Sequence, residues 1–168
     1  MLGDRTPTLA DLQRLEYSNM VVKETLRLYP PAWMLAPRQA LVDVEIGGYR
    51  LPKGSIVIIS PYVLHHNPAY FPEPDRFDPE RFSREREQAI PKYAHIPFGA
   101  GQHVCIGNSF AMMEARLLLA TIAQRFHLTL APGQVVATEP LITLGVKHGM
   151  RMRLGARAPR PKAAAVAA

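Results

Sequence analysis

The sequence predicts a mainly α chain with small β-sheets, an α+β fold. Apolar residues recur at helical spacing in two stretches, residues 16–29 and residues 108–126. Shorter segments alternate apolar and polar residues as strands do, at residues 42–51 and again toward the C-terminal end. Sixteen prolines predict long irregular segments between these elements. With 168 residues, the chain is long enough to form one domain with a core.

The N-terminal part is predicted to be helical. Thr8 can cap a short first helix, and residues 16–29 form a second that is apolar around much of its circumference, which favours burial. Glu24 and Arg27 stand three residues apart in it and share a face. If exposed, such a pair is worth about 0.2–0.5 kcal/mol. If buried, losing one partner costs about 3–5 kcal/mol. The apolar residues on both sides favour burial.

The middle of the chain combines loops and short strands. Residues 33–36 are an apolar irregular stretch, and residues 42–51 alternate around a Gly47-Gly48 turn, which predicts a β-hairpin. Residues 55–60 are nearly all apolar and predict a strand covered on both faces. His65 and His66 are adjacent, so they point in different directions and make a poor metal pair. Residues 67–82, rich in proline and aromatics, form either an ordered meander or a disordered linker.

The C-terminal part begins with a long helix whose stripe of apolar residues is expected to lie in the core. After His127 the pattern predicts a short strand, a turn at Pro132-Gly133, an apolar segment at residues 141–146 and an edge strand. In the edge strand, Met150, Met152 and Leu154 alternate with arginines. Residues 155–168 are predicted to be a disordered basic tail.

Cys105 is the only cysteine and lies among three glycines, Gly99, Gly101 and Gly107. Glycine permits positive φ and close approach of the backbone, so the loop is expected to fold tightly around the sulfur. A helix beginning near Asn108 would place that sulfur by a positive helix end, which favours a metal-binding thiolate. A small buried hydrophobe is the alternative for a lone cysteine.

Two other kinds of site are disfavoured at Cys105. A zinc site is improbable, because the sequence has no second cysteine and no histidine pair at a useful helical spacing. A nucleophilic cysteine with His103 as its base is a weak alternative, because the two lie only two residues apart on one loop.

The net charge, the cysteine count and the lengths of the apolar runs argue against several classes of protein. The net charge of +6 equals the six basic residues that follow Glu139, so residues 1–146 are neutral overall and nucleic-acid binding is not expected. One cysteine excludes an internal disulfide. No apolar run approaches the ~20 residues of a membrane span, and the N-terminus does not have the pattern of a signal peptide. A cytoplasmic location is the expectation.

Four features resemble the cytochrome P-450 family, in the family's chain order. Residues 98–107 fit the haem-binding signature Phe-Gly-x-Gly-x-x-x-Cys-x-Gly. Lys-Glu-Thr-Leu-Arg-Leu-Tyr-Pro-Pro at residues 23–31 looks like the family's Glu-x-x-Arg helix. The third feature is the aromatic meander at residues 67–82. The fourth is Pro-Glu-Arg-Phe at residues 79–82, which resembles a family motif and favours an ordered segment there. The resemblance covers nearly all of residues 9–154 and predicts that residues 1–154 are the C-terminal portion of a cytochrome P-450 domain.

The resemblance implies haem b, iron protoporphyrin IX, as the cofactor. The Cys105 thiolate would be the axial iron ligand, with Phe98 against the proximal face tempering its electron donation. Arg38 would meet a haem propionate. His103 stands where many members have an arginine for a propionate, and its charge depends on pH. The cofactor-binding residues implied are Arg38, Phe98, Gly99, His103, Cys105 and Gly107.

Two further groups of residues follow from the resemblance. Arg81 would complete a structural triad with Glu24 and Arg27 that locks the meander against the helix. The substrate-pocket residues implied are Trp33, Met34, Leu35, Thr143 and Leu144.

The implied activity is that of a monooxygenase, which inserts one oxygen atom of O2 into an apolar organic substrate and reduces the other to water. Electrons would come from a ferredoxin, a flavodoxin or a flavin reductase. The chain matches only the C-terminal part of the family, without the distal helix that delivers protons to dioxygen. A truncated or partial chain is therefore the expectation.

Three alternatives stay open. A haem-binding remnant would take up haem without turnover. If the chain is a haem-free structural or interaction module, the Cys105→Ala substitution should leave its folding and its partner binding unchanged. A haem-thiolate peroxygenase would work with peroxide and no reductase.

Overall fold

The computed structural model describes residue 2 and residues 5–157, and it has the predicted α+β composition. It divides into two compact units. The first comprises Met1–Val22, Ile106–Glu139 and Val146–Ala168, as far as these are described, and the second comprises Lys23–Cys105 and Pro140–Gly145. Among the described residues, none of the helices has the length and apolar character that a membrane crossing requires.

The helices of the described residues are of two kinds. The α-helices are α1 (Glu16–Leu28), α2 (Pro61–His65), α3 (Arg84–Gln88) and α4 (Asn108–Arg125). Short 3₁₀ helices cover Leu9–Arg14, Pro79–Phe82 and Gly101–His103.

Short strands pair two by two within the described part of the chain. They are β1 (Arg38–Gln39), β2 (Val44–Ile46), β3 (Tyr49–Leu51), β4 (Ile56–Val57), β5 (Phe126–Leu130), β6 (Thr138–Pro140), β7 (Leu144–Val146) and β8 (Met152–Ala156). The pairs are β1 with β4, β2 with β3, β5 with β8 and β6 with β7. The ladder of β5 and β8 is antiparallel and places Phe126 opposite Ala156 and Leu130 opposite Met152.

In the first unit, the predicted cap at Thr8 works through Asp11. The backbone N–H and the hydroxyl of Thr8 donate to one Asp11 carboxylate oxygen at 2.9 and 3.0 Å, and the Arg5 guanidinium pairs with the same side chain. Asp11 is buried, so these donors replace its water. The Arg116 guanidinium of α4 donates to the Leu12 carbonyl and ties α4 to the first 3₁₀ helix.

In the second unit, the hairpin predicted over residues 42–51 is confirmed as β2 and β3. Gly47 and Gly48 both have positive φ, at 58° and 83°. Two consecutive residues of this kind form the type I′ turn that matches the twist of paired strands. Val44 lies opposite Leu51, and Ile46 lies opposite Tyr49.

Two predictions of burial are wrong. Residues 55–60 were expected to be a covered strand, yet only Ile56–Val57 is a strand, and Ile56 and Ile58 are 62% and 55% exposed. The α4 stripe was expected to be core, yet Phe110 and Leu118 are 63% and 54% exposed. Apolar spacing shows which residues share a face, but it does not show whether another element covers that face.

At the C-terminal end, β8 continues through Ala156, two residues into the predicted tail. The Arg157 N–H donates to the Arg125 carbonyl at 2.8 Å, which extends the pairing of β5 with β8 by one residue. Residues 158–168, which make up the rest of that tail, lie outside the described residues.

Candidate functional site

The Glu24–Arg27 pair of α1 is fully buried, as the apolar residues around it predict. Arg27 Nε lies 2.7 Å from Glu24 Oε2, and Arg27 Nη2 lies 2.9 Å from Glu24 Oε1. This two-pronged geometry uses both oxygens of the carboxylate and is the strong form of the pair.

Backbone groups satisfy the remaining polar atoms of the pair. Arg27 donates to the His65 carbonyl at 2.9 Å and to the Arg76 carbonyl at 3.2 Å. Glu24 Oε1 accepts the Asp78 N–H at 2.9 Å. A buried ion pair is stable only when such additional hydrogen bonds exist. The pair therefore ties α1 to the backbone of residues 65–78.

Arg81 joins this cluster from the 3₁₀ helix Pro79–Phe82. Its Nε lies 3.5 Å from Glu24 Oε1, an ion pair too long for a good hydrogen bond, while Nη2 donates to the Glu73 carbonyl at 2.8 Å. The side chain of Asp78 caps the 3₁₀ helix by accepting the Glu80 N–H at 3.1 Å. The three residues of the predicted triad thus lie together.

Aromatic packing closes the same region. Phe71 is 1% exposed, and the Arg27 guanidinium carbon lies 5.3 Å from its ring centroid, within the range of a cation–π contact. The Phe71 N–H donates to the Asn67 carbonyl at 2.9 Å. Of the two alternatives for residues 67–82, the structure has the compact series of turns.

The loop that carries Cys105 closes on itself through its backbone. The Cys105 N–H donates to the Phe98 carbonyl at 2.8 Å, and the Gly99 N–H donates to the Ile96 carbonyl at 3.0 Å. Gly99 has φ +76°, and a Cβ there would stand 2.8 Å from the His103 carbonyl oxygen. Glycine is therefore required at this position for both conformation and space.

The other two glycines of the loop differ from Gly99. Gly101 has φ +63° but no atom within 4 Å of a built Cβ, so only its conformation favours glycine. Gly107 has φ −83°, which any residue adopts. The helix α4 begins at the next residue, Asn108.

A cavity of about 420 Å³ opens beside this loop within the second unit. Most of its wall is apolar, from the end of α1, the segment after it and the residues that enter the loop. Cys105, which is exposed, contributes the thiol, and Arg38 and His103 contribute the cationic or hydrogen-bonding side chains. An apolar cleft with one soft sulfur donor and two groups suited to carboxylates fits a flat, apolar cofactor with acidic substituents.

Of the predicted cofactor residues, five line this cavity and Gly107 does not; the five are Arg38, Phe98, Gly99, His103 and Cys105. Of the predicted substrate-pocket residues, Leu35 lines it, and Trp33, Met34, Thr143 and Leu144 do not.

Hydrogen bonds link the two segments that carry those substrate-pocket residues. Trp33 Nε1 donates to the Leu141 carbonyl at 2.8 Å, and the Leu144 N–H donates to the Pro31 carbonyl at 2.9 Å.

Several cavity residues were missed by the sequence analysis. Leu26, Ile59 and Ile96 are apolar side chains that no pattern distinguishes from ordinary core. His65, which does not line the cavity, is a second kind of omission. The sequence shows only that it is adjacent to His66, whereas in the structure its side chain is fully buried.

Comparison with known proteins identifies the protein family to which this chain is similar. The family model for cytochrome P450 matches residues 1–148. The chain is 46% identical over 144 residues to cyclooctatin synthase of Streptomyces melanosporofaciens, covering 86% of this chain and 31% of that protein. It is 47% identical over 133 residues to cyclooctat-9-en-7-ol 5-monooxygenase of the same organism, covering 79% and 29%.

A solved structure agrees with these relatives. The crystal structure of the cytochrome P450DA heme domain superposes with a TM-score of 0.86 at 32% identity, covering 94% of this chain and 34% of that one. This chain belongs to the cytochrome P450 family, and the predicted fold is confirmed. It spans about a third of the length of the relatives it matches. Membership implies a haem cofactor, which the cavity chemistry fits.

Proposed function

We propose that the chain holds haem b in the cavity beside Cys105 and supplies the thiolate side of a cytochrome P450 monooxygenase site. The observation that carries the proposal is the lining of one apolar cavity by a single thiol together with Arg38 and His103. When bound, haem would supply the activation of dioxygen, which electron donation from a thiolate assists.

The loop residues have distinct proposed roles. Cys105 would bind the iron, and the loop backbone would hold the sulfur in place through its bond to the Phe98 carbonyl. Phe98 would cover the proximal side and temper electron donation by the sulfur. Arg38 and His103 would receive the propionates, with the Arg38 guanidinium suited to a carboxylate. Gly107, the residue before α4, stays a cofactor-binding candidate only through its place in the signature.

The triad of Glu24, Arg27 and Arg81 would support this site without touching substrate. Its contacts run from α1 to the backbone of residues 65–78. Fixing that segment would restrain the chain that leads into the cysteine loop.

The activity proposed for the complete protein is insertion of one oxygen atom of O2 into an apolar organic substrate. The similarity to a named monooxygenase supports this reaction type. Leu35 would contact the substrate from the cavity wall, with Trp33, Met34, Thr143 and Leu144 as further candidates. A ferredoxin, flavodoxin or flavin reductase would deliver electrons, and the location would be cytoplasmic.

A second candidate is a chain that binds haem without turnover. The observation that favours it is the coverage of only 31% and 29% of the related proteins. Product formation from an apolar substrate, with NADPH and a redox partner, separates the two candidates. Haem uptake without product would support the second.

Haem titration of the purified chain tests the binding proposal. Trp33 is the only tryptophan, and its neighbour in sequence, Ala32, lines the cavity, so bound haem should quench its fluorescence. We expect saturable quenching at one haem per chain, with a different haem absorption spectrum in Cys105→Ala. Unsaturable quenching, or the same spectrum in both proteins, would contradict the proposal.

A further inference from the structure

His65 is a buried histidine whose ring lies between two distant parts of the second unit. It is the last residue of α2 and is 0% exposed. Its Nδ1 lies 3.2 Å from the Arg27 carbonyl at the end of α1, and its Nε2 accepts the Ile96 N–H at 2.9 Å. Its own carbonyl accepts from the Arg27 side chain.

These partners determine the tautomer of the ring. The Ile96 N–H is a donor, so Nε2 has to be unprotonated, and the Arg27 carbonyl is an acceptor, so Nδ1 has to carry the hydrogen. A neutral ring with the proton on Nδ1 satisfies both partners at once. Leaving either buried backbone group unpaired would be costly.

Ile96 stands at the entrance to the cysteine loop. Its carbonyl accepts the Gly99 N–H at 3.0 Å. Two residues after Ile96, the Phe98 carbonyl accepts the Cys105 N–H, and this hydrogen bond closes the loop. Ile96 and Phe98 both line the cavity. The ring of His65 therefore joins the end of α1, next to the Glu24–Arg27 pair, to the first turn of the loop that presents the thiol.

We propose that His65 is a positioning residue that sets the placement of the cysteine loop through its hydrogen bond to the Ile96 N–H. The effect of His65 on haem binding rests on the proposed haem function. The hydrogen bond between His65 and the Ile96 N–H does not depend on haem. The competing explanation is packing alone, because the ring also contacts His95 and Phe71, with centroid distances of 5.0 and 6.3 Å.

Two substitutions separate the bond from the packing. In His65→Gln the side-chain amide oxygen reaches the place of Nε2 and can accept from Ile96. In His65→Asn the amide nitrogen takes the place of Nδ1 and can still donate to Arg27, but no acceptor reaches Ile96. Both variants lose the aromatic ring. His66→Asn is the matched control, because His66 contacts the Tyr62 carbonyl and ring.

The first measurement is amide hydrogen exchange at Ile96 in the full chain without haem. We expect exchange about tenfold faster or more in His65→Asn, and exchange near the wild-type rate in His65→Gln and His66→Asn. Equal acceleration in the Asn and Gln variants would assign His65 to packing and overturn the proposal. An unchanged rate in His65→Asn would overturn it as well.

The second measurement is the reduced, carbon monoxide-bound absorption spectrum of the same proteins with haem. We expect His65→Asn to lose at least half of the red-shifted band of the thiolate-ligated form and His65→Gln to retain it. Equal loss in both variants would contradict a positioning role. If wild type itself binds no haem while Ile96 exchange responds as expected, the haem function fails and the positioning of the loop stands.

Discussion

Gly99 illustrates how one residue constrains the loop. A side chain there would meet two separate penalties, the positive φ of +76° and a 2.8 Å approach to the His103 carbonyl oxygen. Gly101 shares only the first penalty, with φ +63° and open space around it. The two positions form a natural comparison on the same loop.

Gly99→Ala is expected to destabilise the chain more than Gly101→Ala. Strain from positive φ alone costs on the order of 1 kcal/mol, whereas Gly99→Ala also has to displace backbone, which cannot rotate away as a side chain can. Urea denaturation of both variants measures the difference. Equal losses of unfolding free energy would show that the close approach to His103 is unimportant.

The rings of His65, which is fully buried, and His95, which is half-buried, lie 5.0 Å apart, and both have low pKa values. Burial is the main cause, and it lowers the pKa of His65 to about 4 and the pKa of His95 to about 3, from an ordinary 6.5. Arg27 and His66 add repulsion at His65, and His65, Lys23 and Arg27 add it at His95. Between pH 6.5 and about 4, both rings therefore stay neutral in the folded protein, whereas the same rings in the unfolded chain bind protons.

The free energy of unfolding should therefore decrease as the pH falls from 6.5 toward 4. The contribution of these rings is fully present above pH 6.5 and is lost as the unfolded chain binds more protons. Each ring contributes a slope of up to about 1.4 kcal/mol per pH unit. Denaturant titrations through this range measure the slope, which should be smaller in His65→Gln. A slope that His65→Gln leaves unchanged would contradict the assignment to His65.

At the scale of elements, the buried pair on α1 organises the chain that follows it. Arg27 holds the carbonyls of His65 and Arg76, and Glu24 holds the Asp78 N–H. The 3₁₀ helix Pro79–Phe82 then brings Arg81 to the same carboxylate. One helix turn thus anchors α2, the turns after it and the 3₁₀ helix.

Arg27→Ala should cost about 3–5 kcal/mol of unfolding free energy, because it leaves the Glu24 carboxylate buried with only the longer ion pair to Arg81. Arg76→Ala is the control, since its pair with Glu73 is mostly exposed and its backbone carbonyl remains for Arg27. The control should change stability by about 0.5 kcal/mol or less. Denaturant unfolding compares the two, and similar losses would refute the anchoring role.

At the scale of the whole molecule, the sequence predicts local elements well and long-range contacts poorly. The helix α1, the hairpin with its Gly47-Gly48 turn and the burial of the Glu24–Arg27 pair all follow from spacing and turn chemistry. The partners of His65 could not be predicted, because they lie 38 and 31 residues away and no pattern links them. The exposure of Ile56 and of the α4 stripe depends on which elements cover them, and a single sequence does not specify this.

The candidate site follows the same division. The Cys105 loop could be recognised from its glycine spacing and its resemblance to a known signature, and five of the six predicted cofactor residues line one cavity. Most predicted substrate-pocket residues do not line it, although the Leu144 N–H donates to the carbonyl of Pro31, which does. Membership in the family is established over residues 1–148, while this chain spans about a third of its relatives.

The most direct test of the central claim is the absorption spectrum of the purified chain with haem, reduced and exposed to carbon monoxide. We expect a strongly red-shifted Soret band that disappears in Cys105→Ala, because the Cys105 thiolate would be the iron ligand. A red-shifted band that persists in Cys105→Ala, or no such band in the wild-type chain, would contradict the claim that this chain builds a thiolate-ligated haem site.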